Sequence, residues 1–389
     1  MTGHWDFAYG PDELRRRVAE LNYPFLAANV YKESDGELLF PPYRVVRVRD
    51  IRIGVLGLAC NIVDKTMPAH FSKGIRFTEG RNELGLWIKH LREQEKVDVL
   101  VLLSHLGFPQ DMALLKTTPG VDVCLSSHTH NRLAAPVRTG GTLVIQSGCH
   151  GSFLGKLHLQ IEEAGKVTLL DHDLMEVTDG IPENEQVRAL VNSAVEPFRA
   201  ELDEVAGHTS AALNRATMIA STADDMLLDA MVKATGAEVA FANGWRYGAP
   251  VARGPITVND LYNLAPMDPE IMLIELTGSE IWQMLEENLE RTFSREAFGQ
   301  MGGYVKRCAG MTTFFKAENP KDSRVQEVFI GDERIEHSRK YRAAYITVQA
   351  VPDKYGHNRR PSGVMLIQAM REMLHHAKTH ASIPSFVEV

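Results

Sequence analysis

The chain has 389 residues, 44% of them hydrophobic, and a formal net charge of −8. That length suits two domains better than one. The acidic balance, with no block of lysine or arginine, argues against nucleic acid as a partner, and no stretch reaches the ~20 apolar residues that span a bilayer.

The opening ten residues lack a charged region followed by an apolar core, so they do not read as a secretory signal. Trp5, Phe7 and Tyr9 make this stretch poor material for a solvated tail. It reads as a loop held against the protein, running into an amphipathic helix near Pro11. Strands are predicted over 22–30, 43–48 and 51–58, and apolar spacing predicts a helix over 81–94. Cys60 and Cys124 lie on or beside apolar strands and read as small core residues. Cys149 and Cys308 have no short-range partner either.

Two further strands, 97–103 and 121–125, end in histidine: Ser104-His105-Leu106-Gly107 and Ser126-Ser127-His128-Thr129-His130. Three imidazoles at the ends of neighbouring strands resemble the nitrogen half of a metal centre. His105, His128 and His130 are therefore the candidate ligands. The chain holds 15 histidines, and one at a strand end is more often a hydrogen-bonded structural residue. His150, His208, His337 and the pair His375-His376 are read that way.

Strands follow over 142–146 and 156–161, giving mixed α/β or α+β layers with a site on strand-end loops. Residues 182–206 carry one apolar helical face, kinked at Pro197, and the domain boundary is expected near 205. The second half alternates again. A helix over 226–232, a strand over 237–241 and the loop Ala242 to Gly248 come first. A helix capped by Thr257 or Asn259 follows, then a strand over 271–276 and a helix over 279–289. The Asn243-Gly244-Trp245-Arg246-Tyr247 loop can present a guanidinium beside stacking rings. Tyr304-Val305-Lys306-Arg307 is expected on a strand, and by itself reads as surface charge with a core aromatic.

The order of these segments resembles the 5′-nucleotidase family. Gly3-His4-Trp5, His105-Leu106-Gly107 and His128-Thr129-His130 resemble three metal-approaching loops of its calcineurin-like metallophosphoesterase domain. Asn243-Gly244-Trp245-Arg246, Pro255-Ile256-Thr257, Leu276-Thr277-Gly278 and Gly302-Gly303-Tyr304-Val305 resemble its C-terminal domain. The resemblance implies a metallophosphoesterase sandwich over 1–180, a linker helix over 181–206 and a smaller α/β domain over 207–389. It also implies two divalent metals that activate water, with Mn, Zn and Fe equally suited. His4 would stabilise the transition state or protonate the leaving oxygen, with Asp6 orienting it or capping a helix. Arg246 would hold an anionic tail, with Asn243 beside it and Trp245 or Tyr304 stacking on a flat group.

Two departures qualify that picture. The family's earliest motifs, an Asp-x-His strand end and a bridging Asp, precede the segment that Gly3-His4 resembles. The resemblance thus implies a chain truncated at its N-terminus, with an incomplete metal site. Gly3 also stands where the family has a metal-binding Asn. At the other end, Val348 to His357 replaces the family's base-clamping Gly-Gly-Asp-Gly-Tyr turn. The Gly-His-Trp-Asp-Phe opening and Gln300-Met301-Gly302-Gly303 look more like relatives from sulfur oxidation, which release sulfate from a carrier-bound cysteine. The expectation is a metal-dependent hydrolase of a nucleotide-like phosphate ester. The alternatives are that sulfur-oxidation hydrolase, with a carrier protein as partner, and an inactive module that binds an anion or a partner chain. Intact relatives imply a periplasmic location.

Overall fold

The structure, a computed structural model, describes residues 1–162, 166–302, 304–376 and 386–388. Gly303 of the expected Gly-Gly turn lies outside the described residues. The chain divides into two compact units, Met1–Ile181 and Pro182–Val389.

The first unit is built on a six-stranded sheet. Its order is Tyr43–Val48, Ile51–Leu58, Val99–Ser104, Val123–Ser126, Thr142–Ile145 and Val137–Thr139. The four central strands run parallel and both edge strands antiparallel. Near-continuous apolar runs such as Val-Leu-Val-Leu-Leu in Val99–Ser104 suit strands covered on both faces. The parallel register pairs Leu58 with Ser104 and Ser104 with Ser126. Three neighbouring strands therefore end flush, and the loops leaving them emerge together at one edge of the sheet.

The segment expected as a strand over 22–30 is extended only at Val30–Lys32. Before that it packs against the end of the Ile51–Leu58 strand. Ala28 donates its N–H to Gly57 O at 2.8 Å, and a Cβ on Gly57 would sit 2.5 Å from Leu26 O. Only glycine allows that close approach. Buried Asn29 clamps it by donating to Ala59 O and Thr78 O and accepting the Ala59 N–H.

In the second unit a five-stranded sheet runs Arg307–Ala309, Val239–Ala242, Lys340–Tyr345, Glu270–Thr277 and His357–Met365. Side chains alternate across it with period two. Ala240 and Ala242 face the helices Thr222–Thr235 and Leu366–His376. Val239 and Phe241 face the helix Gly278–Phe293 and a small sheet containing Met311–Phe315 and Val325–Ile330. Capping boxes, Thr257 with Asp260 and Thr277 with Glu280, start two of the helices by satisfying free N–H groups at each N-terminus. The kinked helix falls inside this unit, as Glu185–Val195, a tight turn carrying Pro197, and Arg199–Leu202.

The cations expected on the surface are buried. The strand begins only at Arg307, which is 2% exposed, and Lys306 is 3% exposed. Asp224, fully buried, bonds Arg307 Nε at 3.0 Å and Arg215 Nη2 at 2.6 Å. Arg307 also donates to Met218 O, Ile219 O and Thr217 O. Lys306 donates to the carbonyls of Gln349 and Ala350, and burial draws its pKa down to about 8. These groups pin loops to the sheet, which is why polar residues occupy core positions.

Candidate metal centre

Among the described residues, two groups of His, Cys, Asp or Glu bring three ligand atoms within 4.8 Å of one another: His4, His105 and His128; and His130, Cys149 and His150. The first group arises from the flush strand ends. Leu58 leads to Cys60, whose N–H donates to Thr2 O at 3.2 Å, and this lays the opening segment along the sheet edge. Phe7, completely buried, anchors that segment, while Trp5 and Tyr9 remain exposed. His4 is thereby carried to within 4.7 Å of His128 and 5.9 Å of His105, between ring centroids. The His105 and His128 rings lie 5.3 Å apart.

The tautomer of His105 is set by its neighbour. Ser127 Oγ donates to Ser104 O at 2.7 Å, so its proton is committed. The same oxygen lies 2.9 Å from His105 Nδ1 and can only accept there. Nδ1 therefore carries the ring proton, and Nε2 presents a lone pair. A Cβ on residue 3 would stand 2.9 Å from that Nε2. Gly3, where the resemblance expects Asn, keeps the ring's working edge uncrowded.

Burial draws the His4 pKa down to about 4 and that of His105 to about 3, the latter with added repulsion from His4 and His130. Both imidazoles are neutral at pH 7, as metal ligation requires. Three imidazoles converging at a sheet edge fit a divalent ion.

The expected trio is divided. His105 and His128 meet, while His130 joins Cys149 and His150, the latter read from sequence as structural. Residues i and i+2 share a face only on an extended strand. Here His128 has φ of 72° and His130 of 60°, both left-handed. Thr129 N–H turns back onto Ser127 O at 2.9 Å, and Asn131 N–H bonds Gln146 Oε1, so His130 is carried toward the 146–150 loop. Asp6 does not orient His4 directly. Its carboxylate accepts the Gly3 N–H at 2.6 Å, fixing the loop that holds His4. His4 Nε2 instead lies 3.2 Å from Cys60 Sγ and shares a hydrogen bond with it. Burial pushes that thiol up to about 12, so it stays protonated.

Beneath the histidines lies a polar network that spacing did not reveal. Fully buried Asp111 accepts from Ser104 Oγ at 2.5 Å and Ser126 Oγ at 2.6 Å. Gln146 Nε2 donates to Ser126 Oγ and Ser127 O, and its Oε1 accepts from Thr129 Oγ1. The available signal was the serine that closes each histidine-tipped strand. Burial, partly offset by the two serine hydrogen bonds, pushes the Asp111 pKa up to about 7. A carboxyl raised above its unfolded value stabilises most at acid pH and loses that contribution as pH climbs toward 7. The Tm advantage of the wild type over Asp111→Asn should therefore shrink from pH 5 to pH 8. A difference that stays constant or grows would contradict this account.

In the second unit, Asn243, Trp245, Arg246 and Tyr304 gather at one place. Arg246 donates to Gly302 O at 3.3 Å. Trp245 meets Tyr247 edge to face at 5.4 Å. Burial holds the Tyr304 pKa up, partly offset by the Arg246 charge and by hydrogen bonds with Trp245 and Asn243. Asn243 Oδ1 accepts from Thr347 Oγ1 at 3.1 Å. Arg246, Trp245 and Tyr304 are half-buried, so rings and guanidinium keep accessible surface. Tyr355, in the stretch that replaces the base-clamping turn, is only 5% exposed and packs in the core.

Residues 202–350 match the family model of the 5′-nucleotidase C-terminal domain. The chain is 27% identical over 304 residues to the trifunctional nucleotide phosphoesterase protein YfkN of Bacillus subtilis, covering 74% of this chain and 20% of that protein. It thus spans about a fifth of that relative. Protein UshA of Escherichia coli is 21% identical over 399 residues, covering 90% of this chain and 70% of UshA. The structure of the sulfate thiohydrolase SoxB of Thermus thermophilus superimposes with a TM-score of 0.91 at 25% identity, over all of this chain and 72% of that one. A 5′-nucleotidase precursor, also from Thermus thermophilus, shares the fold, with a TM-score of 0.85 at 22% identity, over all of this chain and 83% of its own.

Proposed function

As the chain belongs to the 5′-nucleotidase family of two-domain hydrolases, we propose that it hydrolyses a phosphate ester of a nucleotide-like substrate with the aid of a divalent metal. The observation that carries this reading is the convergence of His4, His105 and His128 at the sheet edge, with the lone pair of His105 Nε2 set by Ser127. His105 and His128 would hold the ion; His130, the third ligand that the resemblance implies, lies with Cys149 and His150 instead. Neutral imidazoles suit Zn²⁺, Mn²⁺ or Fe²⁺ alike. When bound, such an ion supplies charge neutralisation at the phosphoryl group and a more acidic water.

The chain's own residues do the rest. His4, neutral in the free protein, can offer an N–H to the oxygen on which charge develops. Asp6 keeps the His4 loop in place through Gly3. Arg246 would engage an anionic group of the substrate, with Asn243 beside it, while Trp245 or Tyr304 offers a ring to a flat one.

A second reading, release of sulfate from a thiol-linked carrier, is favoured by two observations. Tyr355 is buried in the core and presents no face to a base, and SoxB superimposes closely over the whole chain. The chain, stripped with a chelator and reloaded with Mn²⁺, should be offered nucleoside monophosphates and an S-sulfocysteine peptide. Metal-dependent phosphate release supports the first reading, and sulfate release supports the second. Neither product at any metal loading overturns both and leaves an anion-binding or partner-binding module.

A further inference from the structure

We propose that Gln146 is a positioning residue for hydrolysis: its side-chain amide sets the shape of the loop that aims His128 at His4 and His105. The inference rests on the metal-assisted reading above and adds a residue that touches the ion only through another. Gln146 directly follows the strand Thr142–Ile145, which pairs in parallel with Val123–Ser126. It therefore stands beside the loop that leaves the neighbouring strand.

The residue is 3% exposed, and all four hydrogen-bonding positions of its amide are filled. Nε2 donates to Ser126 Oγ at 2.9 Å and to Ser127 O at 2.8 Å. Oε1 accepts from Thr129 Oγ1 at 3.2 Å and from the Asn131 N–H. The amide cannot be turned over, because that would set its N–H against the Asn131 N–H and its oxygen against the Ser127 carbonyl. These partners stand before His128, between His128 and His130, and after His130.

The loop needs such a hold. His128 and His130 have φ of 72° and 60°, a left-handed backbone that a residue with a Cβ keeps only when its surroundings enforce it. The same bonds reach the loop of His105. Thr129 Oγ1 accepts the Phe108 N–H at 3.0 Å, at the start of the helix Phe108–Thr117 that follows His105-Leu106-Gly107. A Cβ on Gly107 would stand 2.9 Å from Thr129 Cγ2 and 3.2 Å from His128 Cδ2, so the two loops touch. Ser126 Oγ ties the amide to that helix a second time by donating to Asp111 at 2.6 Å. Gln146 thus acts on His128 through the backbone on both sides of it, and sets it relative to His105.

The test uses the full chain, stripped with a chelator and titrated calorimetrically with Mn²⁺ below the Tm of each variant. Gln146→Met keeps the length and loses all four bonds. It should weaken Mn²⁺ binding by about 10- to 100-fold, the usual cost of losing a group that orients a ligand. Thr129→Val removes one link and should give a smaller loss in the same direction. Asp122→Ala removes the acceptor for Arg92 Nη2 and the Leu100 N–H at the opposite end of the sheet. It should lower Tm and leave Mn²⁺ affinity unchanged. A crystal structure of metal-free Gln146→Met should show the His128 ring displaced from its 4.7 Å approach to His4.

An affinity in Gln146→Met equal to that of the wild type, or reduced no further than in Asp122→Ala, would overturn the proposal. Should Gln146→Met fail to fold, Thr129→Val decides, and wild-type affinity there overturns it too. A wild type that binds no Mn²⁺ removes the metal reading of the proposed function instead. The crystal structure then decides the role of Gln146: a displaced His128 upholds it, and an unmoved one ends it.

Discussion

Replacing His4 with alanine should lower kcat for ester hydrolysis by about 100- to 1,000-fold, the usual cost of removing one donor aimed at developing charge. With a pKa of about 4 in the free protein, only ~1 in 1,000 molecules carries imidazolium at pH 7. An N–H hydrogen bond from the neutral ring is therefore favoured over transfer of a full proton, of the two roles that the resemblance leaves open. The prediction is checked by kcat and KM together with Mn²⁺ affinity. A fall in kcat with metal affinity unchanged supports the donor role. Loss of metal affinity by a similar factor would make His4 a ligand, and unchanged kcat would remove it from the site. Cys60→Ala offers a milder probe, because it removes only the hydrogen-bond partner of His4 Nε2.

The second large effect concerns stability. Asp224→Ala should cost about 3–5 kcal/mol, because it strands two guanidiniums that have left water behind. Arg215 and Arg307 are 4% and 2% exposed, and Asp224 is their shared carboxylate. Arg307 also gathers the carbonyls of Thr217, Met218 and Ile219, so the damage should reach the loop before the helix Thr222–Thr235. Urea unfolding of the full chain, followed by a probe in the Pro182–Val389 unit, measures this. A loss below ~1 kcal/mol, the range of exposed pairs, would mean that water reaches the ion pair and that it is not sealed.

Much of this molecule is legible in one dimension. The apolar runs at 51–58 and 99–104, the helix at 81–93 and the capping box at Thr257 reflect periodicity and cap chemistry, which act over a few residues. The histidines after Ser104 and Ser127 could be singled out for the same reason, since a strand end is a local event. His4 could not be joined to His105 and His128 by spacing alone. Its place depends on Thr2 pairing with Cys60 and on Phe7 being buried.

What only the tertiary structure decided is the grouping of the ligands and the fate of the charges. His128 and His130 differ by two positions, yet left-handed backbone sends them to different neighbours. Lys306 and Arg307 read as surface cations because their partners, Gln349, Ala350 and Asp224, lie more than forty residues away. Local order is written in short-range sterics and hydrophobic period, so the sequence declares it directly. A site is an agreement among distant side chains, and it exists only once sheet register and loop ladders have closed the distance.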